Sequence, residues 1–171
     1  DVYHSPMDEP SGEELYLQLQ STKDETLTDI KRRNWTMEEY MDFCNETKKR
    51  GKSSSSEMII PLPGETEKTY FEGVKFLMNN NIKASTFTLM MLCGTELGRD
   101  RAIKQFDMKS KWRILPKQFG EYCGKKVFEI EQICIGTNTM NYQEYLNCRN
   151  YSFIAKLLGH PVFKPIDKLT R

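Results

Sequence analysis

The chain has 171 residues, enough for one ordinary domain with its own core. Its 25 basic and 24 acidic residues leave a formal net charge of +1, so no overall field argues for nucleic acid. No apolar run approaches the roughly 20 residues of a membrane span, and no basic-then-apolar leader opens the chain. The expected compartment is the cytoplasm, with neither nucleic acid nor membrane as partner. Asp1 in place of a starting Met fits a cut or partial chain. The cysteines, at 44, 93, 123, 134 and 148, are odd in number and scattered, as reduced thiols are. None is paired at C-x-x-C spacing, and His4 and His160 lie near the termini, so no local metal site is expected.

Residues 1–14 are polar, with Pro6, Pro10 and Gly12, and read as a loose lead-in. Leu15 to Gln20 alternates apolar and polar, which predicts a strand. A short helix follows Asp24, with Lys31-Arg32-Arg33 as its basic end. Thr36 and Glu39 form a capping box. The helix it opens carries Met37, Tyr40, Met41, Phe43 and Cys44 and stops at Gly51.

Ser53 to Ser56 lead into an apolar run, Met58 to Leu62, which ends at Pro63-Gly64. A helix begins at Glu65-Thr66, with a stripe of Phe71, Val74, Phe76, Leu77 and Met78, and stops at Asn79-Asn80-Asn81. Residues 84–92 read as the next strand. Two mostly buried strands joined by a helix imply a parallel pair with a right-handed crossover. A short polar helix runs to about Phe106. Residues 107–138 read as irregular, with strand-like alternation at 111–115 and 127–135 broken by Gly120 and Gly124. A second capping box, Asn141 to Glu144, opens a helix with Tyr142, Tyr145, Leu146, Ile154, Leu157 and Leu158, and residues 160–171 form a loose tail.

Alternating strands and helices predict an α/β fold with ligands at the carboxyl ends of parallel strands. The loops at those ends hold Gln20-Ser21, Pro61 to Thr66 and Leu92 to Thr95.

Four stretches in order carry a family likeness. Leu19-Gln20-Ser21-Thr22 with Leu27, Ile30, Lys31 and Arg32 resembles the fourth strand and next helix of the radical S-adenosylmethionine (radical SAM) barrel. Residues 57–66 resemble its fifth strand and turn, and residues 87–96 its sixth. Residues 137–149 look like the tail of members with an extra cobalamin-binding domain. The resemblance implies a partial (β/α) barrel over 15–106 with an α+β extension over 107–159. It implies an enzyme in which a four-iron four-sulfur cluster reductively cleaves S-adenosylmethionine to start radical chemistry on a small molecule that the sequence does not name. Gln20 and Arg32 match the residues that hold the amino-acid end of the ligand, although Arg33 is the other arginine in reach. Glu57 matches the acid on the ribose; Ile60, Met90, Met91 and Leu92 match the adenine-flanking positions, with Ser21 beside Gln20.

The departures are as specific. No C-x-x-x-C-x-x-C occurs, the first three barrel strands have no counterpart, Pro61 replaces a glycine, and Cys93 replaces a proline. The chain alone then carries no catalytic residue and is not expected to be active. Cluster and cobalamin would come from a missing amino-terminal half. A half barrel has an apolar inner face and an unpaired edge at 15–20, so that half, or self-association, is the expected partner. The competing reading is a catalytically silent α/β module that binds a nucleotide-like ligand or a protein. In it Gln20 and Glu57 are ordinary surface polar groups, Arg32 a helix-end cation, and Met90-Met91 core.

Overall fold

The computed structural model describes residues 15–158; the loose lead-in and tail expected from the sequence lie outside the described residues. The architecture is mixed α/β around a three-stranded parallel sheet, ordered β1 (Leu15–Tyr16), β2 (Ser54–Ile60), β3 (Lys83–Thr88). Three parallel strands fall short of a barrel. Helices α1 (Asp24–Asp29) and α2 (Met37–Lys49) connect β1 to β2, and α3 (Glu67–Asn79) connects β2 to β3.

The capping box expected at Thr36 exists as geometry, and the structure adds one at Thr66 that the sequence reading does not include. Thr36 Oγ1 accepts from the Glu39 amide at 3.2 Å while Glu39 Oε2 accepts from the Thr36 amide at 2.8 Å. Thr66 and Thr69 form the equivalent pair at the start of α3. Gly51 ends α2 at φ +73, the left-handed position that favours glycine.

Helix α1 is shorter than its sequence reads. It stops at Asp29, and Lys31 turns left-handed at φ +56, so Arg32 and Arg33 lie beyond the helix. The buried stripe of α3 is Tyr70, Gly73, Val74 and Leu77: Val74 and Leu77 lie where expected, Phe71 and Phe76 pack part-buried against the same core, and Met78 is exposed. Tyr70 belongs inside because its hydroxyl meets Thr86 Oγ1 on β3 at 2.6 Å. Strand β3 is less buried than β2, with Phe87 half exposed on one face of the sheet while Thr88 on the other is buried.

The irregular reading of 107–138 is corrected in part: the strand-like stretches at 111–115 and 127–135 do lie in strands, but as parts of a continuous element. Residues 109–136 form one long antiparallel hairpin, β4 (Lys109–Tyr122) and β5 (Lys125–Gly136). Its two-residue turn is Cys123-Gly124, both at positive φ, the backbone of a type I′ turn without the usual Asn-Gly signature. Leu115 to Gln118 bulge out between the Ile114 and Phe119 pairings, which is where Pro116 is tolerated. The base of β5 continues the main sheet beyond β3: Met91 N donates to Gln132 O and Cys134 N to Leu89 O, both at 2.8 Å.

Helix α4 (Asp100–Gln105) precedes the hairpin and α5 (Tyr142–Leu158) follows it. The Asn141–Glu144 box is present, with Glu144 Oε2 accepting from the Asn141 amide at 2.7 Å. Helix α5 turns Tyr145, Cys148, Tyr151 and Ala155 to the core, while Ile154, Leu157 and Leu158 stay exposed, so its apolar stripe differs from the expected one. One core joins Leu19, Tyr40, Met58, Ile60, Leu77 and Cys148 from either side of residue 107. A second packs Leu62, Leu89, Met91, Phe106 and Cys134 at the carboxyl ends of the strands. Among the described residues no helix is long and apolar enough to cross a membrane.

Candidate functional site

Strand β1 reaches the site through a bulge. Tyr16 pairs with Ser55 and Gln20 with Met58, so four steps on one strand span three on the other. Gln20 absorbs the misfit at φ +62. The carbonyls that leave the ladder are taken by side chains. Ser56 Oγ donates to Leu17 O at 2.7 Å and accepts from the Leu19 amide at 3.4 Å. Arg32 Nη2 donates to Gln18 O at 2.9 Å, and Asn34 Nδ2 donates to Leu19 O at 2.6 Å. Arg32 Nε holds Asn34 Oδ1 at 2.9 Å.

This arrangement joins Gln20 to Glu57 through the backbone and fixes Arg32 on the bulge that leads to them. Gln20 N donates to Glu57 O at 2.8 Å, and Ile59 N donates to Gln20 O at 2.9 Å. Strand alternation turns Glu57 away from the buried neighbours Ser56 and Met58. Among the described residues neither the Gln20 carboxamide nor the Glu57 carboxylate has a hydrogen-bond or ion-pair partner. Arg32 uses two of a guanidinium's five N–H groups on the bulge and keeps three. Arg33, the alternative arginine, is exposed and its charge acts on Glu39. The uncovered face is not uniformly apolar, since it includes Glu57.

Other expected residues sit differently. Ile60 is fully buried in the main core, and Met91 is buried in the second one. Met90 and Leu92 are exposed. Ser21 is fully buried, and its hydroxyl donates to the Glu65 carboxylate. The Leu92–Thr95 loop closes on itself, with Thr95 Oγ1 donating to Leu92 O at 2.7 Å. Lys31 Nζ meets Glu96 at 2.6 Å, tying the loop after α1 to the loop after β3.

Glu65 was not singled out by the sequence, although the Pro63-Gly64-Glu65-Thr66 turn marked its loop. It is 1% exposed. Its carboxylate accepts from Ser21 and Thr69, and its backbone carbonyl accepts from Thr139 Oγ1 at 2.8 Å. Glu65 therefore ties together the loop after β1, the start of α3 and the segment before α5. The only signal was a carboxylate in the turn that closes the apolar run 58–62, which needs hydroxyl partners once buried. Nearby, burial pushes the Cys148 thiol up to about 12, with Glu67, Glu65 and Glu144 adding in the same direction. It is a core group held neutral.

Among the described residues no three His, Cys, Asp or Glu side chains converge on a point that could hold a metal ion. The residues here do not fit an iron–sulfur cluster, and no step through one is assigned to them. The chain matches no protein-family model and no characterised relative.

Proposed function

We propose that the chain is the carboxyl-terminal part of a radical SAM enzyme and contributes the half site that grips S-adenosylmethionine. The observation that carries this reading is the bulge that Arg32 holds and that sets Gln20 beside Glu57 along β2, with the amide and the carboxylate unpartnered among the described residues. In this reading Arg32 offers its remaining N–H groups to the ligand carboxylate, and the Gln20 amide holds the same end. Glu57 accepts from the ribose hydroxyls. Met90 and Leu92 flank the adenine, while Ile60 and Met91 support that wall from within the cores. Ser21 acts through Glu65, by fixing the loop that carries Gln20. The cluster, and the cobalamin of the resembling subgroup, would have to come from outside residues 15–158, so this part binds and orients without cleaving.

Calorimetric titration of the whole chain with S-adenosylmethionine tests this. Micromolar binding is expected, weakened about tenfold by Glu57→Gln, the lower edge of what a charged hydrogen bond contributes. Glu57→Gln is preferred to Arg32→Ala because Arg32 also holds the bulge. A folded chain that binds neither S-adenosylmethionine nor S-adenosylhomocysteine overturns the reading in favour of the silent module.

A further inference from the structure

The β4–β5 hairpin leaves the body of the protein after its base, and residues 109–132 are all exposed or half-buried. A two-stranded ribbon is marginal by itself in water. Cross-strand register sorts its side chains onto two unlike faces. One face carries Trp112, the opposed pair Ile114 and Ile130, and the opposed pair Phe119 and Phe128, each between 57% and 72% exposed. The two phenylalanine rings are 6.2 Å apart. The other face carries the Arg113–Glu131 ion pair and Lys111, whose ammonium lies 4.8 Å from the Tyr142 ring centre on α5. The apolar face is thus the one turned away from this contact.

We infer that this stripe is the interface between two copies of the chain, packed ribbon on ribbon about a two-fold axis through the Ile114–Ile130 pair. The order of residues carries the assignment to a second copy. The stripe begins with a polar pair, Gln132 Nε2 donating to Ser110 Oγ at 2.7 Å, and ends with the opposed Glu121 and Lys126. Between them lie an aromatic, the isoleucine pair and an aromatic pair. Reversed on itself, the pattern places Trp112 of one copy against the phenylalanine pair of the other, with polar groups at both rims. Five large side chains at these exposures offer roughly 500 Å² per copy, so about 1,000 Å² for the pair, the lower bound of a specific interface. The product is a four-stranded sandwich with sheets about 10 Å apart. This inference does not depend on ligand binding at Gln20.

Sedimentation equilibrium of the whole chain from about 1 to 100 µM, the range in which an interface of this size associates, reads the result directly. The expected mass is that of two 20.1 kDa chains. Ile130→Lys, at an exposed position and with its fold checked by circular dichroism, should weaken association at least about tenfold. Val127→Lys, exposed on the opposite face, should leave it unchanged. A chain monomeric throughout, an assembly that survives Ile130→Lys, or one lost equally with Val127→Lys overturns the inference.

Discussion

Gly64 turns left-handed at φ +79, and a Cβ placed on it would lie 2.8 Å from Asp29 Oδ2 and 3.3 Å from Thr26 Oγ1. Lys23 Nζ donates to its carbonyl at 3.1 Å. The turn is therefore pressed against α1, and Glu65 beside it receives Ser21 and Thr69. Gly64→Ala combines backbone strain with this close contact and should cost about 1–3 kcal/mol, read as a lower urea midpoint at unchanged slope. An unchanged midpoint would mean that the turn and α1 separate at no cost. At the same scale Arg32 serves the backbone first: it covers Gln18 O, a carbonyl that the bulge has removed from the ladder. Its remaining donors are what a ligand would meet.

Helix α2 depends on its start, because its buried positions, Tyr40, Cys44 and Thr47, fall one per turn and leave most of it in water. Thr36→Ala should cost about 1 kcal/mol at neutral pH, measured by urea unfolding. Glu39 adds a pH dependence. The hydrogen bond from the Thr36 amide, then that from its hydroxyl, hold the Glu39 carboxyl below its ordinary value of 4.5. A depressed carboxyl stabilises the fold above its unfolded value and ceases to do so as pH falls through its folded one. Glu39→Ala should therefore be less stable than the natural chain at pH 7, with the gap closing in acid below pH 4.5. A gap that stays constant with pH would show that the carboxylate is not what closes the box.

For the whole molecule, the informative element is α5. Tyr145 is buried in the main core, and its hydroxyl meets Thr88 Oγ1 at 3.1 Å, which joins the last helix to β3. Thr139 reaches Glu65 from the segment just before α5. The parallel sheet and the chain after residue 107 are therefore expected to unfold together. In a Trp112→Phe background, Trp35 fluorescence reports the amino-terminal part alone. Tyr145→Ala should lower that transition by about 3–5 kcal/mol, the cost of removing a large core aromatic. An unshifted Trp35 transition would make the two parts separate folding units. The hairpin contributes little to this core beyond its base, and its apolar face is left exposed by the rest of the described residues.

The order of strands and helices, the capping boxes at Thr36 and Asn141, and the stop at Gly51 are local, so spacing and side-chain chemistry in the sequence determined them. The parallel pairing of β2 with β3 followed as well, because a helix between two apolar runs leaves few other topologies. Tertiary structure decided the rest. Whether Ile60 or Met90 faces a ligand depends on which side of the sheet the helices cover, and Ile60 went to the core. The long hairpin hides behind a Cys123-Gly124 turn and a bulge at Pro116, neither of which keeps a two-residue period. The bulge that turns Gln20 toward Glu57 is stabilised by Ser56, Arg32 and Asn34, residues spread over 25 positions whose meeting only the folded chain brings about.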